Sequence, residues 1–401
     1  YTTDYHKQVL LDLIDIIRNS RLEELERFKN LWIDVNSNIT FLNGFISDDK
    51  TDNIKGVFFV DKKSDAVMQR IIGNIGALKQ VLPWREEYQN YNSGIINMNS
   101  ENILLGNDVE IGLPFVPGRT IHYTGKTKQA NKGKFYYFNN IAHSVRKSLG
   151  YMIIDEFTLP EEMEALKQYS DIYEPVFDML REILGQVLSN MDRLSGSDSS
   201  SPSEDRSAIL NRAVADLSAL YLMTDPILSE LGILKSMPAA ADPYNSYLIN
   251  SLFGLKYFHQ APDSLHIRTK AANLVLQYLT GLSGKVRTDE RNGRSYLVMS
   301  DPDEMKQAVA GLIRELIDMN LRNDQEEIRG FIDRYALSVN AVLRDEMIGR
   351  SESVDYPEYI KLAYPYLEPR YNDNDGIVDV FIKMPESYRE QKKRFSETSK
   401  K

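Results

Sequence analysis

Apolar residues at Leu10, Leu13, Ile14 and Ile17 recur at the spacing that gathers them on one face of a helix. Ser20-Arg21-Leu22-Glu23 then has the form of a capping box, so a second helix is expected to open there and run through Leu25, Phe28 and Trp32. The chain is thus expected to begin as a helical pair. The period changes at Gly56 to Val60 and again across 103–138. Short β-like runs there, such as Thr120-Ile121-His122-Tyr123 and Lys134-Phe135-Tyr136-Tyr137-Phe138, are separated by Gly, Asn and Pro. Thr158-Leu159-Pro160-Glu161 has a second capping-box form with Pro at the first helical position, and from it to about residue 350 nearly every segment has helical period. Two stretches break that run. Ser195-Gly196-Ser197-Asp198-Ser199-Ser200-Ser201-Pro202 is a flexible loop by composition, and Arg291-Asn292-Gly293 turning into Arg294 to Met299 predicts a hairpin. After Pro357 the pattern loosens into Tyr- and Pro-rich coil with a strand at Ile377 to Ile382 and a basic, polar tail, and no internal repeat is present.

Composition narrows the class. The 401 residues are 42% hydrophobic and 26% charged, a globular balance that excludes a disordered or fibrous chain. No run approaches the roughly 20 apolar residues of a bilayer span, so no membrane crossing is expected. A net charge of -10 argues against nucleic acid as a partner, because affinity for phosphates is carried by clustered Lys and Arg. The absence of cysteine removes disulfides, thiolate nucleophiles and Cys-based metal sites together, and leans towards an exported, periplasmic bacterial location over a cytoplasmic one. A first residue of Tyr1, with a helical pattern starting almost at once and no signal peptide visible, suggests a processed or truncated piece.

Several short blocks, in order, resemble the dipeptidyl peptidase III family of zinc exopeptidases. Asn43-Gly44-Phe45-Ile46 resembles its Gly-Phe-Ile turn, Leu82-Pro83-Trp84 its Leu-Pro-Trp, and Ile111-Gly112-Leu113-Pro114 its substrate strand. Ala215-Asp216-Leu217 through Leu220-Tyr221, with Asp225-Pro226 and Glu230-Leu231-Gly232, resembles the stretch after the third zinc ligand. His266-Ile267-Arg268 resembles a block of the substrate cleft, and Gly376 to Val380 with Tyr388 to Ser396 resembles the C-terminal strand and closing helix. The resemblance implies an α+β, predominantly α-helical, two-lobed fold, with a helical lobe facing a strand-containing lobe across a cleft. The helical, formerly zinc-binding lobe is expected at 60–85 and 150–350. The lower lobe is expected at 1–59, 86–149 and 351–401, incomplete at its N-terminus, so that a separate N-terminal chain is one candidate partner.

The family's zinc site uses His-Glu-x-x-Gly-His on one helix and a Glu on a later one, with the first Glu activating water. Such a site needs two imidazoles facing one point, an anionic third ligand and an open position for water. Here the corresponding residues are Arg181-Glu182-Ile183-Leu184-Gly185-Gln186, and the later Glu falls on Arg212. Glu182 and Gly185 persist, whereas every ligand position is substituted. A guanidinium offers no lone pair and stays protonated. At about 4 Å, with an effective dielectric near 20, each one would repel a dication by about 4 kcal/mol per unit charge. The five histidines, His6, His122, His143, His259 and His266, form no His-x-x-x-His pair, and Pro262 interrupts any helix joining the last two. No metal cofactor is therefore expected, although the family would imply zinc.

By the same resemblance the family's assisting tyrosine falls on Phe41, the acidic residue after Gly-Phe-Ile on Ser47, and two substrate-strand asparagines on Gly112 and Phe115. His266 and Arg268 match cleft residues, or else serve structure alone. Arg181 and Arg212 either fill the metal position as ion pairs with Glu182 and Asp216, or form a site for a carboxylate or phosphate. With no metal-bound water to deprotonate, Glu182 is expected to be a relic or an ion-pair partner, and Tyr136, Tyr137 and Phe138 to be core. The leading expectation is a catalytically inactive pseudopeptidase that binds a protein or peptide partner or assembles with other chains. The rivals are an active metallo-dipeptidyl peptidase with an unrecognised site and a receptor for a small anionic ligand.

Overall fold

In a computed structural model the chain is described over residues 3–33, 35, 37–42, 56–92, 96–106, 110–112, 118–122, 133–194, 202–261, 264–354, 359–361, 365–383, 385 and 388–398. The Ser-rich stretch 195–201 lies outside the described residues, as do 43–47 and Phe115. Among them eleven strands occur: β1 (Ile39–Leu42), β2 (Gly56–Val60), β3 (Met98–Gly106), β4 (Glu110–Gly112), β5 (Gly118–His122), β6 (Gly133–Phe138), β7 (Val286–Arg291), β8 (Arg294–Met299), β9 (Tyr359–Lys361), β10 (Tyr366–Tyr371) and β11 (Ile377–Lys383). The remainder is mostly helix, an α+β architecture in two compact units. One unit comprises residues 1–68, 97–145 and 357–401, and the other 69–96 and 146–356.

The first unit holds a five-stranded sheet of order β1-β2-β3-β6-β5, in which only β3 and β6 run parallel. Tyr136, Tyr137 and Phe138 are buried in it, and Phe58 meets Phe138 at a ring separation of 4.7 Å, so this aromatic run is core. Two further two-stranded pairs, β4 with β9 and β10 with β11, complete the strands of this unit. The segment after Pro357 is thus more ordered than its Tyr- and Pro-rich composition suggested. Pro369 is accommodated because, among the described residues, β10 pairs on one side only, with no ladder bond on the other that would need the missing N–H.

The opening helical pair is present as Asp4–Arg18 and Leu25–Ile33, with two departures from the sequence expectation. Its buried stripe is His6, Val9, Leu13 and Ile16, which turns His6 onto Trp32, while Ile14 and Ile17 are exposed. Ser20 is not an N-cap. It takes φ of 53°, and the amides of Ser20 and Arg21 donate to the carbonyls of Ile17 and Ile16, which is the Schellman closure of the first helix. The second capping box is likewise corrected. Thr158 closes the Tyr151–Phe157 helix, and a turn through Pro160 delays the next helix until Met163.

In the second unit, helices pack around Pro202–Met223, whose Leu210, Ala213, Val214, Leu217, Ala219 and Leu222 are buried. Helices Glu174–Leu194, Ile267–Gln277 and Pro302–Arg322 lie against it. The hairpin predicted at 291–299 is β7–β8, turned by Asn292 and Gly293 at φ of 53° and 70°, the positive pair that a two-residue hairpin loop needs.

Candidate functional site

The Glu174–Leu194 helix begins with Pro175 in its first turn and buries Val176, Met179, Leu180, Ile183, Leu184 and Val187. With so much of its circumference apolar, the polar residues Asp178, Arg181 and Glu182 are carried inward with it. Opposite them the Pro202–Met223 helix presents Arg212 and, one turn on, Asp216. The third contributor is the Ile267–Gln277 helix. His266 is its N-cap, and its Nδ1 accepts the Arg268 amide at 3.2 Å, an arrangement that fixes the first turn from which Arg268 projects. His266 itself is exposed, with its Nδ1 engaged in this cap.

These elements bring Arg181, Glu182, Arg212 and Arg268 together. Glu182 Oε1 lies 2.9 Å from Arg212 Nη1, 2.9 Å from Arg268 Nη2 and 3.6 Å from Arg181 Nε. Arg181 also pairs with Asp178 at 2.9 Å, and Arg212 with Asp216 at 3.0 Å. Asp178 faces Arg146 at 3.6 Å, and Tyr247 donates its hydroxyl to Asp216 at 3.3 Å. The Glu182 and Arg212 side chains are only 11% exposed, so most water is excluded. Burial alone would raise the Glu182 pKa, but Arg212, Arg268 and Arg181 overcome it and hold the carboxyl at about 2. Arg268 carries the opposite strain: burial first, then repulsion from Arg212, lowers its pKa to about 10. Four donors of these arginines stay unsatisfied, since Arg181 Nε, Arg212 Nε, Arg212 Nη2 and Arg268 Nη1 are buried without a hydrogen-bond partner.

Gln186 lies half-buried one turn beyond Glu182. A Cβ added at Gly185 would meet Ala215 Cβ at an ordinary 3.8 Å, so packing alone does not demand glycine there. Phe41 lies in β1 and Gly112 ends β4, both in the first unit. The sequence foresaw Asp216 in the cluster but not Asp178, Arg146 or Tyr247. Asp178 precedes Arg181 by one helical turn, a legible ion-pair spacing, whereas Arg146 and Tyr247 arrive from other helices with no local signal.

The residues present do not fit zinc. Two of the three positions matched to ligands, Arg181 and Arg212, carry guanidinium groups without a lone pair, the third carries the Gln186 amide in place of an imidazole, and among the described residues no group of three or more His, Asp or Glu is placed to hold a metal ion. Nor does any helix among them have the length and apolarity to cross a membrane.

No protein-family model and no curated protein matches the sequence. Solved structures do match: DPP III from Caldithrix abyssi, with a TM-score of 0.65 at 12% identity, covers 87% of this chain and is itself covered over 65%. Dipeptidyl-peptidase III from Corallococcus sp. strain EGB matches with a TM-score of 0.62 at 12% identity, over 88% of this chain and 64% of its own. The fold is therefore dipeptidyl peptidase III-like, α+β and predominantly helical. At this identity the likeness is one of fold, and the chain spans less than two-thirds of the length of these two structures, 65% and 64%.

Proposed function

We propose that this chain is a catalytically inactive homologue of dipeptidyl peptidase III, a pseudopeptidase whose fold is kept for binding a protein or peptide partner or for assembly. One observation carries the reading: the Glu182 carboxylate is ion-paired with three arginines, at 2.9 Å with Arg212 and Arg268 and at 3.6 Å with Arg181. A general base must be able to take up a proton near the working pH. A carboxyl held at about 2 lacks that basicity, and its Oε1 is already engaged by guanidinium groups. The ion pairs occupy the place that the metal chemistry would need.

A second reading has its own support in the buried donors without a hydrogen-bond partner, Arg181 Nε, Arg212 Nε and Nη2, and Arg268 Nη1, groups of the kind that receive a carboxylate. It predicts saturable thermal stabilisation by small acidic ligands that is lost in Arg181→Ala.

The test is elemental analysis of protein purified without chelator, beside cleavage of a dipeptidyl-naphthylamide with added zinc. Absence of stoichiometric metal and of turnover is expected. Stoichiometric zinc with turnover would overturn the proposal and favour an active peptidase with ligands elsewhere in the chain.

A further inference from the structure

The ion pairs around Glu182 extend to a fourth arginine without a fourth charged partner. Arg181 and Arg146 both draw on Asp178, at 2.9 and 3.6 Å, and Arg212 draws on Asp216 at 3.0 Å. Arg212 and Arg268 share Glu182 Oε1 at 2.9 Å each. Four guanidinium groups thus stand against three carboxylates. The next acid, Glu174, accepts the Ser170 hydroxyl at 2.5 Å, and burial, then the Asp178 charge, raises its pKa towards the neutral form. Arg268 is served worst, since Glu182 is the one carboxylate it reaches among the described residues and Arg212 already holds that oxygen. The unsatisfied donors lie on the same two groups. Arg181 Nε and Arg212 Nε face a carboxylate within an ion pair, whereas Arg212 Nη2 and Arg268 Nη1 are closed off from solvent with no acceptor among the described residues. Each belongs to a guanidinium whose other terminal nitrogen touches Glu182 Oε1, so the two open donors sit on groups that meet at one atom.

We propose that the cluster is a buried site for one small inorganic monoanion of the halide class, held by Arg212 Nη2 and Arg268 Nη1 beside Glu182. The proposal rests on the anion-receptor reading above and narrows it to a ligand. Donor chemistry favours an anion over water: a guanidinium only donates, and a water molecule between two of them brings no charge, whereas an anion accepts from both and supplies the negative charge that the pairing lacks. That charge counts most where solvent is excluded. Size follows from burial. The Arg212 and Arg268 side chains are 11% and 23% exposed, so an ion that enters without parting the three helices must be small. Valence follows from the count, because a single negative charge offsets the fourth arginine and a dianion would overshoot it. Bound there, the ion ties the Ile267–Gln277 helix to the Pro202–Met223 helix and makes the stability of the second unit depend on halide.

Thermal melts at constant ionic strength, with sodium gluconate replaced stepwise by sodium chloride, test it. The expected result is a saturable rise in melting temperature, about 3–6 °C once chloride is roughly tenfold above its Kd. Arg268→Met should remove the rise, and Arg291→Ala, at an exposed arginine of β7, should keep it. Because Arg268→Met also disturbs the cluster's own ion pairs, a readout on the unaltered chain accompanies it: anomalous scattering from bromide-soaked crystals should show a peak within reach of Arg212 and Arg268. Stabilisation by acetate but not by chloride overturns the halide assignment and leaves the carboxylate reading standing, and stabilisation by neither removes both. A chloride effect that persists in Arg268→Met, or bromide found at the surface alone, means an adventitious ion only and overturns the proposal.

Discussion

Replacing Glu182 by glutamine removes one negative charge from the cluster while keeping its shape and an oxygen that can still accept from Arg212 and Arg268. Three guanidinium groups then share the remaining carboxylates, Asp178 and Asp216. The cost follows from the linkage. An ordinary carboxyl at 4.5 is held at about 2 in the folded chain, and at 1.36 kcal/mol per unit this amounts to about 3 kcal/mol. The same magnitude is typical of stripping one partner from a buried pair. For a unit of this size 1 kcal/mol moves the melting temperature by about 2–4 °C, so Glu182→Gln should lower it by about 6–12 °C near neutral pH.

The sign of the pH dependence provides a second reading of the same charge. The folded pKa lies below the unfolded one, so the contribution is complete above pH 4.5 and is lost as pH falls from 4.5 towards 2. Urea midpoints across that window should fall more steeply for the wild type than for Glu182→Gln. Arg268, the cation whose pKa burial and Arg212 already depress, should be cheaper to remove once Glu182 is neutral. A double-mutant cycle of Glu182→Gln with Arg268→Met should accordingly give a coupling of at least ~1 kcal/mol. A loss below ~1 kcal/mol for Glu182→Gln, with parallel pH profiles, would refute the idea that these ion pairs lock the three helices together.

Elsewhere in the second unit, Arg350 is 7% exposed and donates to Glu156 at 3.0 Å, the Ser295 carbonyl at 2.8 Å and Glu346 at 3.1 Å, while lying over the Phe157 ring. Arg350→Ala should cost about 3–5 kcal/mol in urea unfolding, and Arg350→Lys only part of that. In the first unit, burial raises Glu101 to about 7, against the pull of Thr40, Asn99 and Lys134 and with Asp65 adding to the rise. Its folded pKa exceeds the unfolded value, so stability should fall by about 3 kcal/mol as pH rises from 4.5 to 7, and Glu101→Gln should flatten that slope.

How much of this was legible in the sequence depended on how far each signal reaches along the chain. Short apolar and aromatic runs bounded by Gly, Asn and Pro announced β2, β5 and β6, and Asn292-Gly293 announced β7–β8, because a short strand-like run and a positive-φ turn are written in consecutive residues. The misread caps at Ser20 and Thr158 show the limit of such signals. A Ser or Thr with a Glu three residues later suits a helix start, yet the same Ser20 closes the preceding helix in a Schellman motif, and only the hydrogen bonds decide. On the Asp4–Arg18 helix the periodicity identified a helix but not its buried side, since apolar residues occupy two stripes and contact with Trp32 selected the one holding His6.

The cluster extends the same reasoning to the site. Local spacing joins Arg181 to Asp178 and Arg212 to Asp216, each within one helical turn. What no local pattern carries is the convergence of Arg212 and Arg268 on Glu182, which requires three helices to pack in one particular way. Packing of that kind is specified by apolar faces, and buried charges tolerate it only when every charge finds its opposite. The arginines and acids of this site therefore depend on one another: one of these arginines alone would be an unpaired buried cation, whereas Arg181, Arg212 and Arg268 with Asp178, Glu182 and Asp216 balance one another. The stability difference between Glu182→Gln and its double variant with Arg268→Met measures how far that mutual dependence goes.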